Sequence, residues 1–444
     1  VSGSGSGDGA RTAAAVLADR LRQLGVTRIY GAPLADLAHV GVDDPDLAVL
    51  LADADGRLGA PDGGGRLGAA LLAGGVLHLS SRPGGTAPLQ SVGSVEEVLD
   101  VLVDPPGLTV PGTLAVHLDL DLDEPVPPQV APAAERERRP VLILEPSLGS
   151  LRMLALVGPG VIRARAVEGV RSFTRTAGAP VLATWGARGV EHWDSPYSAG
   201  VGGVQANDLA LGGLRDAEVV LTTGLDPDEI PAGALDGLVV QDVAPAQLGV
   251  LCHRWPTRSE PPRDRNDVRA ALAGVLTPLY EDDSSPLSPA RAALHLSGAL
   301  PDRGLAVADP GPAGFWVARA FPSSIPGSSV VPATREEGFA AAAALVAGVE
   351  GRPALAVTDV AGLGPVTAAV GDLARSLRVP LRLQVWADDG PRTSPAEHVA
   401  LLADHLGDPG VRVDRVGVRL EVPEELVELA GPPVPVFGDR DAGR

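Results

Sequence analysis

The sequence offers few groups able to do chemistry, and the first is a glycine turn. Gly158-Pro159-Gly160 follows the apolar run Met153-Leu154-Ala155-Leu156-Val157 and precedes a helical stretch. Such a turn lets a helix N-terminus approach an anion, although the same residues also serve simply to join strand to helix. The eight histidines are His39, His78, His117, His192, His253, His295, His398 and His405. None forms a His-X-X-X-His or His-Glu-X-X-His pair, so zinc hydrolysis has no motif. His117-Leu118-Asp119 alternates along an expected strand as packing and solvent exposure would dictate, and His398 and His405 lie about two turns apart on an expected helix. The Gly-X-Ser-X-Gly at Gly3-Ser4-Gly5-Ser6-Gly7 lies in a Gly/Ser-rich start, without the strand-turn-helix setting of a nucleophile elbow. A single cysteine, Cys252, excludes an internal disulfide and a cysteine-rich zinc site. All 36 Lys+Arg positions are arginine. Without lysine there is no pyridoxal-phosphate Schiff base and no Walker A lysine.

The elements that must position these groups alternate between strand and helix. In the first part, residues 13–24 carry apolar residues at helical spacing and run into the strand-like Arg28-Ile29-Tyr30, closed by Gly31. In the middle, strands are expected at residues 140–144, 153–157, 180–183, 217–222 and 237–241, with a helix over 161–177. The last part reads as strand 305–309, helix 337–349, strand 354–358, helix 367–377 and strand 381–386. Two Pro-rich, charged stretches, one from Asp123 through Arg139 and one from Glu281 to Pro289, read as linkers. The expectation is three serial α/β domains with parallel sheets, at residues 10–130, 140–283 and 288–444.

Composition narrows the partners. The 444 residues are 45% hydrophobic and 21% charged, with a formal charge of −20. That charge argues against nucleic acid and anionic membrane as partners. No apolar run approaches the roughly 20 residues needed to span a bilayer, and no signal peptide is read, so a cytoplasmic location is expected. Residues 1–9 are Gly/Ser-rich and read as unstructured.

The middle block resembles the central domain of the acetolactate synthase group of thiamine-diphosphate enzymes. The likeness rests on Leu156-Val157-Gly158-Pro159-Gly160, the helix after it, and Gly178-Ala179-Pro180-Val181-Leu182-Ala183-Thr184-Trp185-Gly186-Ala187-Arg188-Gly189. It continues through a Gly-rich segment at Gly200 to Gly203 and Ala217-Glu218-Val219-Val220-Leu221-Thr222-Thr223-Gly224. The first block falls where that family has its pyrimidine-binding domain, with Ser80-Ser81-Arg82-Pro83-Gly84-Gly85 similar to an eroded Gly-Pro-Gly turn. The last block resembles the diphosphate-binding domain through Gly338-Phe339, the alanine-rich helix and Gly351-Arg352-Pro353-Ala354-Leu355-Ala356-Val357-Thr358.

The resemblance implies three requirements that this sequence meets poorly. The family uses a glutamate on the pyrimidine domain to activate the cofactor ring, but no glutamate precedes Glu96. The corresponding region, Leu50-Leu51-Ala52-Asp53-Ala54-Asp55-Gly56, offers only aspartates, and the domain is short by a strand and a helix or two. The family anchors magnesium and diphosphate with Gly-Asp-Gly and a later asparagine. Here those positions read Thr358-Asp359-Val360 and Ala387-Asp388-Asp389-Gly390. Asp359 with Asp388 or Asp389 would be the metal ligands if the cofactor is held. The third requirement, an apolar wedge before the Gly-Phe pair, is replaced by Glu337, a costly group to bury unless Glu336 and Glu337 stabilise a helix N-terminus. Thr334-Arg335-Glu336 is a second, weaker match to the family's Arg-X-Glu motif.

The resulting expectation is a homologue that has lost catalysis, holds no cofactor and acts as a binding or assembly scaffold, as a homodimer or homotetramer with an unidentified small-molecule ligand. Gly158, Gly160, Gly338 and Asp359 are the remnant cofactor-binding positions, and no catalytic residue is assigned. One alternative is an active thiamine-diphosphate- and magnesium-dependent lyase or carboligase on 2-oxo acids. Another is a nucleotide- or flavin-binding protein using Gly158 to Gly160, as family members bind flavin at the central domain.

Overall fold

The computed structural model describes residues 11–59, 64–81, 89–103, 112–127, 151–258, 262 and 266–438. The expected unstructured start, the strand at 140–144, most of the first linker and the turn residues 82–85 lie outside the described residues. The chain divides into two compact units: Val1–Arg57 with Arg66–Pro140, and Leu58–Gly65 with Val141–Arg444.

The first unit is built on a six-stranded sheet in the spatial order Ala38–Val40, Arg28–Gly31, Gly68–Leu72, Val76–Ser80, Thr113–Leu118, Leu89–Val92. It is mixed rather than uniformly parallel. Gly74 and Gly75, both at positive φ, turn the chain back so that Gly68–Leu72 and Val76–Ser80 pair antiparallel, and Val76–Ser80 pairs antiparallel with Thr113–Leu118. The helix Ala13–Gln23 starts where the Thr12 hydroxyl accepts from the Ala15 N–H, and it buries Leu17, Ala18 and Leu21. Part of the first linker is ordered: Pro125–Val126 pairs antiparallel with Arg11–Thr12.

The second unit holds two five-stranded sheets, each parallel throughout. The first runs Ser198–Gly202, Val181–Thr184, Met153–Val157, Val219–Thr223, Val240–Asp242. The second runs Ser329–Val330, Leu305–Ala308, Ala354–Asp359, Leu381–Ala387, Val411–Gly417. Their central strands are apolar at nearly every position, as strands covered on both faces must be. The helix Phe339–Val349 is buried from Phe339 to Ala347, and its small alanines let it lie close against the second sheet. The helix expected over 161–177 is broken into Gly160–Arg163 and Val167–Ala177 by Arg165, which sits at φ 53°.

The two sheets share one apolar core. Leu156, Leu182 and Trp185 from the first join Phe315, Trp316, Phe321 and Trp386 around the second. The Trp185 indole N–H donates to the Val331 carbonyl at 3.1 Å, and its ring meets Phe437 edge-on at 5.3 Å. The acidic segment at 281–289 is therefore a packed turn rather than an open linker. Leu287 and Ser288 are fully buried, the Ser288 hydroxyl donates to the Leu279 carbonyl at 2.6 Å, and Asp283 pairs with Arg291 at 2.9 Å. Among the described residues no helix is long and apolar enough to cross a membrane.

Candidate functional site

The carboxyl ends of the second sheet's strands bring together most of the residues singled out from the sequence. Gly338, at φ 79°, is the N-cap of the helix Phe339–Val349. The exposed N–H groups of that helix end are met by a protein carboxylate. Asp309, buried just after the strand Leu305–Ala308, accepts from the Ala340 N–H at 2.7 Å and from the Thr358 hydroxyl at 2.6 Å. The next helix, Pro365–Leu377, is met in the same way. Glu337 accepts from the Val366 N–H at 3.3 Å, and a Cβ placed on Gly364 would lie 1.6 Å from its Oε1. Glu337 is thus a helix-capping group, not a wedge beneath a ligand.

Asp359 accepts from the Gly362 N–H at 3.2 Å and so shapes its own loop, while its other oxygen lies close against Gly311. In the parallel register Asp359 stands opposite Trp386, two residues before Asp388. Asp388 accepts from the Leu420 N–H at 2.8 Å, and Asp389 pairs with Arg415. Arg335 of the Arg-X-Glu alternative donates to the carbonyls of Val436, Pro435 and Gly438. No cluster of three or more His, Cys, Asp or Glu suited to a metal ion occurs among the described residues. A diphosphate brought to either helix end would meet the carboxylate of Asp309 or Glu337, a like charge. The donor set does not fit the cofactor implied by the resemblance.

The glycine turn of the first sheet in this unit also faces protein. A Cβ on Gly158 would lie 2.3 Å from the Gly224 carbonyl oxygen, and one on Gly160 would lie 2.7 Å from the Gly224 Cα. The close approach those glycines permit is backbone against backbone. The neighbouring turn is closed by Glu229, fully buried, which accepts from the Thr184 hydroxyl at 2.5 Å and the Gly186 N–H at 3.2 Å. The helix Gly160–Arg163 has four residues, too short for an N-terminal dipole of consequence.

In the first unit Asp53 and Asp55 lie on the helix Pro45–Leu58 and are turned into the interior. His78 donates to Asp53 at 2.8 Å. Asp55 accepts from the Tyr30 hydroxyl at 2.7 Å and pairs with Arg66. Burial, with Asp55 beside it, holds the Tyr30 phenol well above its ordinary range. Sequence reasoning missed a cavity lined by Arg188, Arg319 and Tyr280. Its residues come from distant segments, and their only sequence signal is arginine next to apolar positions.

Comparison with known proteins agrees with this architecture. Residues 149–249 match the family model for the central domain of thiamine pyrophosphate enzymes. A protein assigned as a thiamin diphosphate-dependent enzyme from Mycobacterium smegmatis superposes with a TM-score of 0.63 at 15% identity, covering 93% of this chain and 100% of that one. Benzoylformate decarboxylase from Polynucleobacter necessarius superposes with a TM-score of 0.65 at 14% identity, covering 93% of this chain and 99% of that one. No curated protein matches the chain. The resemblance to the thiamine-diphosphate enzyme family, first read from the middle block, is borne out in the central segment by sequence and over the rest by fold.

Proposed function

We propose that this chain is a thiamine-diphosphate-enzyme scaffold that holds no thiamine diphosphate and acts by binding or assembly, as a cytoplasmic homodimer or homotetramer. The observation that carries the reading is Glu337. Its carboxylate sits over Gly364 and accepts from Val366, occupying the start of the helix that follows the expected metal loop. Asp309 does the same at the neighbouring helix. With Asp388 and Asp389 engaged by Leu420 and Arg415, the metal positions are committed to internal contacts as well.

Calorimetric titration of the whole protein with thiamine diphosphate and magnesium tests the proposal. No binding at millimolar cofactor is expected from a sample whose circular dichroism shows it folded. Micromolar binding would overturn the reading and favour a lyase or carboligase acting on 2-oxo acids. A flavin absorption spectrum in the purified protein would favour the nucleotide-binding alternative instead.

A further inference from the structure

The second unit contains a cavity of about 450 Å³ in which none of the expected cofactor residues takes part. It lies against the edge strand Ser198–Gly202 and its neighbour Val181–Thr184 and is covered by the helix Val268–Glu281. Its size suits a small organic molecule, with space for roughly fifteen waters. The walls are largely apolar, with Val181, Val268, Leu272, Leu276 and Phe321 among them.

Arg188, Arg269 and Arg319 line this cavity together with Glu191 and Asp267. Arg319 is neutralised, its Nη2 reaching both oxygens of buried Asp208 at 2.7 Å. Asp267 is turned to the helix end, accepting from the Arg269 and Ala270 N–H groups. Glu191 faces Arg175 at 3.9 Å. Arg188 has no carboxylate partner among the described residues; its polar contact is a hydrogen bond to the Ala318 carbonyl. The Nε atoms of both Arg188 and Arg319 are buried without an acceptor. A buried cation left unpaired is strongly unfavourable, and one left lining a cavity invites an anion.

Tyr280 closes the same group, its hydroxyl donating to the Ala320 carbonyl at 2.7 Å. Burial, and then repulsion from Arg319, bring the Arg188 guanidinium down to about 10 against some support from Tyr280. At the rim the Arg269 guanidinium stacks over Trp193, 4.1 Å from the ring centre, and both are exposed. An anion entering there meets a cation and an aromatic face before reaching Arg188.

We infer that this cavity is a binding site for a small organic monoanion, a carboxylate on an apolar or aromatic body, with Arg188 as its anchor. The Arg188 guanidinium, turned to the cavity without a carboxylate partner, matches a negative charge, and the apolar walls match the body. The inference does not rest on loss of the cofactor, because none of Gly158, Gly160, Gly338, Asp359, Asp388 or Asp389 lines the cavity.

The test uses the full chain and three near-isosteres as probes: 3-phenylpropanoate, 3-phenylpropanamide and 3-phenylpropylamine, each titrated by calorimetry. The acid should bind at least about tenfold tighter than the amide, the amine least of all. Arg188→Met should erase the difference between acid and amide while sparing the amide. Ala273→Phe, at an exposed position on the covering helix, should fill the cavity and abolish binding with the melting temperature unchanged. It decides the matter if the arginine variant fails to fold. The inference is overturned if the acid shows no saturable binding, if it binds no tighter than the amide, or if Ala273→Phe binds it as well as the parent protein.

Discussion

Acid should weaken this protein through one histidine. His398 is completely buried on the helix Pro395–Gly407. Its Nε2 faces the Gln384 side-chain oxygen at 3.1 Å, an oxygen that also accepts from the Trp386 indole at 3.0 Å. That oxygen can only accept, so His398 carries its proton on Nε2. Its Nδ1 therefore accepts from His295 Nδ1 at 3.1 Å. The neutral ring is satisfied on both sides, whereas a second proton would face the His295 donor. Burial, then His295 and His405, lower its pKa from 6.5 to about 3. A base with a depressed folded pKa keeps its full contribution above the unfolded value and loses it as pH falls below 6.5 toward 3. Between pH 7 and pH 5 the loss works out to about 2 kcal/mol, at 1.36 kcal/mol per unit. Urea unfolding at the two pH values, on the parent protein and on His398→Gln, measures it. The parent should lose about 2 kcal/mol more than the variant over that interval. Equal losses in the two proteins would refute the assignment of the buried neutral ring.

Two further substitutions probe buried packing. Gly158→Ala places a Cβ 2.3 Å from the Gly224 carbonyl, between two backbones that cannot yield separately, and should lower stability by about 1–3 kcal/mol in urea unfolding. An unchanged midpoint would mean open space above that turn. Asp208→Asn leaves the buried Arg319 guanidinium without its counter-charge and should cost about 3–5 kcal/mol by the same measurement. Burial outweighs that pairing enough to raise the Asp208 pKa, so the ion pair is itself weakly favoured, and a loss under 1 kcal/mol would show that water reaches Arg319.

The fold was legible where burial on both faces writes itself as a continuous apolar run. Val219–Thr223, Leu305–Ala308 and Ala354–Asp359 could be read this way because parallel strands between helices have no solvent face. Val411–Gly417 could not, since an edge strand half in water reads Val-Arg-Val-Asp-Arg-Val-Gly and carries a charge on most turns of its pleat. The antiparallel hairpin at 68–80 escaped the alternating strand–helix pattern because its signal is only the Gly74-Gly75 turn. At the candidate site, the identities of Asp359, Asp388, Asp389 and Glu337 were legible but their partners were not. Leu420, Arg415 and Val366 reach them across the fold, and no spacing rule joins such positions. Asp309 carried no signal at all, because its hydrogen-bond partner, the Ala340 N–H, lies thirty-one residues later in the chain.

These contacts also explain why the separate departures from the family pattern belong together. A helix end that lies at a sheet's carboxyl edge has N–H groups in need of acceptors, and in a cofactor enzyme a diphosphate can supply them. In this chain a nearby carboxylate meets part of that need. Glu337 does so for Pro365–Leu377 and Asp309 for Phe339–Val349, each from a position close to the helix it serves. A carboxylate so placed repels a phosphate, and Val360 stands exposed in the loop that follows Asp359. A glycine restored at position 360 alone would therefore leave two anions guarding the helix ends. On the proposed reading the loop and the two helix caps act together, so that cofactor affinity would depend on all of them rather than on the metal loop by itself.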